Sequence, residues 1–148
     1  MATVSVKKAV KAPAAKVWAM VSEWGGTHKW IPGVGPVTVE PDGQDVAVGS
    51  KRSADLDPAT GFPGRITEIL EALDENAMYF RYSVLGASPI PIKNYVAEMK
   101  VLVVTNGSSE VTWSSTWDAD GDLTEDELVT AFEGLYDMSL ENVRTACE

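Results

Sequence analysis

Four residues of this sequence have the means to hold an oxygen and move a proton: Arg52, Glu68, Tyr82 and Tyr95. Each lies in a run whose apolar residues recur at every second position. Arg52 has the parity of Val48, Ala54 and Leu56, against Lys51, Ser53 and Asp55. Glu68 falls in with Ile66, Leu70 and Ala72. Tyr82 aligns with Met78, Phe80 and Val84, and Tyr95 with Ala97, Met99, Val101 and Val103. Trp113 and Trp117 share parity with Val111. Side chains of a strand alternate between its two faces. If these faces converge, a guanidinium, a carboxylate and two phenols sit among aromatics on one wall.

A charge on such a wall is either paired or functional. Glu68 is expected to take a proton from a bound molecule and return it elsewhere. Arg52, always charged and fork-shaped, suits an oxyanion or polar head. Tyr82 and Tyr95 can donate to the same oxygen. Taken singly, an Arg–Glu pair on a sheet is commonly structural, and a slip or bulge turns either residue outward. Trp113 and Trp117 read as packing, and each tyrosine as a core residue with one satisfied hydroxyl. The shared face of the whole set is what points to a pocket.

Two kinds of element must position these groups. Strands are expected at Thr3–Val10, Pro36–Glu40, Val48–Leu56, Arg65–Leu73, Met78–Leu85, Ile92–Val104 and Glu110–Asp118. Turn signals separate them, among them Asp42-Gly43, Asp57-Pro58, Ser88-Pro89 and the tight-hairpin pair Asn106-Gly107. Ala12-Pro13 opens a short helix, since proline suits the first helical position. Gly25-Gly26 ends it, and a second short helix runs from about Thr27 to Ile31.

The last stretch, Thr124 to Cys147, predicts one long amphipathic helix. Leu128, Ala131, Phe132, Leu135, Ser139, Val143 and Ala146 share its apolar face. Thr124 and Glu127 have capping-box spacing, and Leu123 and Leu128 that of a hydrophobic staple. Gly134, which costs about 1 kcal/mol against alanine in a helix, is expected to make room for close packing. The fold class is therefore α+β: a curved seven-stranded antiparallel sheet wrapped around a long C-terminal helix, with two short helices after the first strand. A cavity between sheet and helix would be lined by whatever alternates inward. On this reading Phe80, Met99, Phe132 and Leu135 join Tyr95 and Trp113 as ligand-contacting residues.

Composition narrows the partners. The 148 residues are ordinary in apolar and charged content and predict a single domain over 1–148. The net charge of −10 argues against nucleic acid and anionic membranes. No apolar run is long enough for membrane insertion, and the first residues lack the apolar core of a signal peptide. A cytoplasmic protein, monomer or homodimer, is expected. One cysteine and one histidine leave no disulfide and argue against a structural zinc site; no metal and no cofactor are expected. Asp118-Ala119-Asp120-Gly121-Asp122 resembles the start of a calcium loop, but Leu123 and Val129 stand where glycine and glutamate are needed. His28 is expected to be exposed, and Ser88-Pro89-Ile90-Pro91 to be a stiff loop, lid or turn.

The order of several short pieces carries a family resemblance. They are Ala12-Pro13 with Val17-Trp18, His28-Lys29-Trp30 with Pro32, Val48-Gly49 before Arg52, Glu68 within Thr67–Asp74, Tyr82, Asn94-Tyr95, and Val111-Thr112-Trp113-Ser114. From about Val4 to Cys147 the chain resembles the SRPBCC superfamily, the START-like helix-grip proteins. Within it the chain is most similar to the polyketide cyclase/dehydrase group that includes lachrymatory factor synthase. The resemblance implies Arg52 and Glu68 as a catalytic pair with Tyr82. It implies Tyr82, Tyr95 and Trp113 around a pocket for a small hydrophobic, oxygen-bearing molecule, and Trp30 is expected among the ligand-contacting residues as well. A cofactor-free isomerase, lyase or cyclase/dehydratase follows as an expectation, with a non-catalytic carrier as the alternative. The superfamily also contains hormone receptors, whose gate motif is replaced here by Thr60-Gly61-Phe62-Pro63-Gly64.

Overall fold

In a computed structural model, which describes residues 1–42 and 45–148, the period-two runs become seven antiparallel strands. They are β1 (Ala2–Val10), β2 (Thr38–Glu40), β3 (Lys51–Leu56), β4 (Gly64–Asp74), β5 (Tyr79–Val84), β6 (Ile92–Thr105) and β7 (Ser108–Ala119). Their order is β1-β7-β6-β5-β4-β3-β2. Neighbours from β2 to β7 are hairpin-linked, and β1 closes onto β7 in unbroken register from Ala2↔Trp117 to Val10↔Ser109. Helix α1 (Ala14–Val21) follows β1, and helix α2 (Glu125–Cys147) ends the chain. This is the helix-grip architecture expected.

The local signals behave physically as read. Asn106-Gly107 joins β6 to β7, with Thr105 paired to Ser108 across the turn. Thr124 Oγ1 accepts from the Glu127 amide and Glu127 Oε1 from the Thr124 amide, both at 3.1 Å, so the capping box is complete. Leu128 is fully buried behind it.

Several boundaries differ. The second short helix is a single 3-10 turn, Thr27–Lys29, and Pro13 caps α1 from outside. A further 3-10 turn, Pro58–Thr60, sits in the β3–β4 connection. β3 starts at Lys51: Gly49 takes a φ of +96°, open to glycine but strained for other residues, and breaks the alternation. Val48 is consequently exposed instead of sharing the Arg52 face. The expected Asp42-Gly43 turn extends outside the described residues.

Two β-bulges change which residues point inward. In β4 the register shifts between Leu70 and Ala72, leaving Glu71 as the extra residue, and Leu73 replaces Ala72 against the core. In β6 it shifts between Lys93 and Val96. There Asn94 adopts a φ of +57°, a left-handed value that asparagine tolerates, and donates through Nδ2 to Asp118 Oδ2 at 3.0 Å. The bulge turns Lys93 and Asn94 outward and keeps both Ile92 and Tyr95 buried.

The face of α2 is also rotated from the expected one. Its buried residues are Leu128, Phe132, Tyr136, Ser139, Leu140, Val143 and Cys147. Ala131 and Ala146 are exposed and Leu135 lies at the edge. Four-residue steps hold the seam through Leu140, and Tyr136, a residue amphipathic in itself, belongs to its centre. Lys8 on β1 anchors the helix from the side, donating to Asp137 at 2.9 Å and Glu141 at 3.1 Å. Val103 at the far end of β6 is exposed instead of sharing the Tyr95 face.

Candidate functional site

Arg52 and Glu68 face each other directly across β3 and β4. Arg52 Nε donates to Glu68 Oε1 at 2.7 Å, and its Nη1 to the Trp24 carbonyl at 3.3 Å. The guanidinium carbon lies 3.9 Å from the ring centroid of Trp24 and 4.8 Å from that of Tyr82. Arg52 is 5 % exposed, and the Glu68 side chain 17 %. The charge is thus paired, hydrogen-bonded and stacked on aromatic faces, the conditions under which a buried guanidinium is tolerated. The Arg52 hydrogen bond to Glu68 falls on one carboxylate oxygen, Oε1.

Beside the ion pair runs a chain of hydroxyls. Trp113 Nε1 donates to Tyr82 Oη at 3.1 Å, and Tyr82 and Tyr95 hydroxyls are 3.4 Å apart. Tyr95 is hydrogen-bonded to Tyr136, and Tyr136 donates to Ser115 Oγ at 2.8 Å. Trp113 stacks on Tyr136 with ring centroids 3.9 Å apart. Burial pushes the Tyr82 hydroxyl pKa well up, and the Glu68 charge adds to this while Arg52 opposes it. Burial likewise raises Tyr95, reinforced by Tyr136 and Tyr82, and raises Tyr136, where Tyr82 reinforces it and the bonds with Ser115 and Tyr95 oppose it. All three are neutral donors at ordinary pH.

These groups bound an internal cavity of about 80 Å³. Its polar wall is Arg52, Glu68, Tyr82, Tyr95 and Tyr136, with Thr27 and Ser53 at the side. Trp113, Phe132, Leu135 and aliphatic residues of the strands and loops complete it. A second, outer groove of about 340 Å³ continues from it between α2 and the loops around Gly33 and Phe62. Ile31, Val34, Leu56, Ile90, Phe132 and Leu135 line both spaces. Ile90 places the Ser88–Pro91 loop at their junction.

Of the residues expected around a ligand, Arg52, Glu68, Tyr82, Tyr95, Trp113, Phe132 and Leu135 line the inner cavity. Phe80, Met99 and Trp30 do not line it and are buried in the packing behind. Phe80 contacts Trp18 and Trp24, Met99 on β6 sits opposite Trp113 on β7, and Trp30 packs edge-on against Trp113 at 5.5 Å. Parity assigns a face of the sheet; it does not say how far along that face the cavity extends. His28 is exposed, as expected. Tyr136, Trp24 and Ser115 were not foreseen. The four-residue repeat Leu128–Phe132–Tyr136–Leu140 was the available signal for Tyr136; nothing local marked Trp24, which follows the end of α1.

Among the described residues no cluster of three or more His, Cys, Asp or Glu side chains is arranged to hold a metal, and no helix is long and apolar enough to cross a membrane.

A curved sheet closed by one helix over a largely apolar cavity with a polar wall defines a helix-grip ligand-cavity protein. The sequence agrees: the family model for polyketide cyclase / dehydrase and lipid transport matches residues 1–148, and the chain belongs to that family. Solved structures share the fold. A protein from Thermobifida fusca is 27% identical, with 97% of this chain and 91% of that one covered and a TM-score of 0.80. XoxI from Bacillus cereus is 22% identical over 99% and 96% of the two chains, at 0.84. The Zhui aromatase/cyclase from Streptomyces sp. R1128 is 19% identical over 99% and 93%, at 0.75. No curated protein matches the chain.

Proposed function

We propose that this protein is a cofactor-free enzyme of the cyclase/dehydratase or isomerase type, acting by proton transfer on a small, mostly apolar carbonyl compound. The observation that carries this reading is the Arg52–Glu68 pair on the wall of an apolar cavity, 2.7 Å apart and beside three neutral phenols. Glu68 Oε2 takes the proton from the carbon next to the carbonyl. The electron pair moves onto the oxygen, where Arg52 and the Tyr82 hydroxyl hold the developing charge. Glu68 then returns the proton at another carbon, or to a departing hydroxyl that leaves as water. Single-domain organisation over 1–148 belongs to the same reading. Membership of a family named for polyketide cyclases and dehydrases supports it, as does the fold shared with an aromatase/cyclase.

The inner cavity is small, about half the 150 Å³ that holds benzene in an engineered protein. The reacting oxygen and its neighbouring carbons occupy it, and the rest of the molecule lies in the outer groove. The family's other named role, lipid transport, supports a second reading in which the same cavity only carries its ligand.

Glu68→Gln separates the two. The enzyme loses turnover by a factor on the order of a hundred or more while ligand affinity stays within a few-fold. Full turnover in that variant overturns the mechanism, and affinity without any wild-type turnover on enolisable ketones leaves the carrier.

A further inference from the structure

Gly134 lies in the interior of α2, about two and a half turns from its start and three and a half from its end. An interior helical glycine is a standing cost to stability relative to alanine. Close packing does not explain it: a Cβ built at Gly134 has no atom within 4 Å, contrary to the expectation from sequence. Gly134 instead borders the outer groove, between Leu135 and Ala131 on the same wall. A side chain there meets open groove instead of protein. Ala131, one turn earlier, is the other short residue of that wall, while Leu128 and Met138 stand at its two ends.

The groove is continuous with the inner cavity through Ile31, Ile90, Phe132 and Leu135, all of which face both spaces. The polar groups belong to the inner end; the groove itself is lined almost wholly by carbon. A ligand whose oxygen meets Arg52 therefore directs its remainder past Phe132 and Leu135 and along Gly134. We infer that Gly134 is a specificity-determining residue: its missing side chain keeps the groove wide enough for an unbranched apolar tail, so the protein selects carbonyl compounds with extended chains over short ones. This rests on the ligand reading of the cavity given above.

Binding of the straight 2-alkanones from butanone to 2-decanone tests it, by calorimetry or competition with a fluorescent apolar probe. In the wild-type protein affinity rises with length, by up to about fourfold for each methylene that enters the groove, the ratio equivalent to ~0.8 kcal/mol per buried methylene. Gly134→Leu is expected to raise the melting temperature, to leave butanone affinity within twofold, and to weaken 2-decanone at least tenfold. If Gly134→Leu fails to fold, Ala131→Leu, which fills the same groove from the preceding turn, leaves butanone affinity within twofold and weakens 2-decanone at least tenfold. A length dependence that survives both substitutions overturns the role of Gly134 while leaving the cavity reading intact. Failure of the wild-type protein to bind any of the ketones overturns both.

Discussion

Tyr136 Oη on α2 donates to Ser115 Oγ on β7 at 2.8 Å, and this one bond orients the hydroxyls of the cavity. With its proton committed to Ser115, Tyr136 can only accept from Tyr95. Tyr82 already accepts from Trp113 Nε1, so its own proton points along the long 3.4 Å approach to Tyr95 or into the cavity. Under the proposed mechanism Tyr82 is thereby the phenol free to engage a ligand oxygen, although the residue that sets this lies on another element.

Tyr136→Phe tests the ordering. The change strands the Tyr95 proton and removes the donor to Ser115, both buried, and is expected to cost about 1–3 kcal/mol per unsatisfied group. The Tyr95 proton then turns toward Tyr82 or the cavity, so the infrared carbonyl band of bound butanone moves from its wild-type position. Phe at 136 with an unchanged band and unchanged stability would mean the phenols act independently.

Alkaline titration reads the same cluster. The folded state raises the Tyr82, Tyr95 and Tyr136 hydroxyl pKa values above the ordinary 10.0, burial being the main cause. Their contribution to stability is fully present below about pH 10 and is lost as pH climbs above it, because the unfolded chain then releases protons the folded chain keeps. Phenolate absorbance should therefore show these three tyrosines ionising together with the loss of the circular dichroism signal. Gradual ionisation in protein that is still folded would contradict the burial.

The helix offers a comparison of two substitutions. Phe132 is 5 % exposed and touches Tyr95, Trp117 and Tyr136. Phe132→Ala should cost about 3–5 kcal/mol, against about 1 kcal/mol for Thr124→Ala at the capping box. Thermal or urea unfolding of the two variants checks the order.

At the surface, Glu141 accepts from Arg144 and Lys8, and its carboxyl is lowered from 4.5 to about 2, chiefly by the Arg144 bond. The sign is that of a depressed acid: stability from this group is present above pH 4.5 and disappears as pH falls toward 2. Glu141→Gln should differ from wild type at neutral pH and converge with it near pH 2. The difference should shrink in high salt, since the group is exposed.

Much of this site is legible in the sequence because alternation is rigid. Arg52, Glu68, Tyr82, Tyr95 and Trp113 emerge from parity, and each lines the cavity. Alternation fails where the backbone inserts a residue. The bulge at Glu71 exchanges Ala72 for Leu73, and Tyr95 owes its place to a left-handed Asn94 that no periodicity announces. The helix misreading has a different origin. Ala131, Leu135 and Ala146 also recur at helical spacing, and only the partner surface decides which of two adjacent stripes is buried. Choosing the more aliphatic stripe hid Tyr136, the residue that completes the polar wall.

The aromatic packing gives the molecule its own light source. All five tryptophans, Trp18, Trp24, Trp30, Trp113 and Trp117, are buried, each at 7 % exposure or less. They are spread along the sheet–helix interface, with Trp24 on the guanidinium and Trp113 on the phenol chain. Native emission should therefore be blue and shaped by the cavity, with no exposed indole to dilute it. Any ligand arriving at Arg52 changes the surroundings of Trp24 and Trp113 first, so occupancy is visible in intrinsic fluorescence without a label.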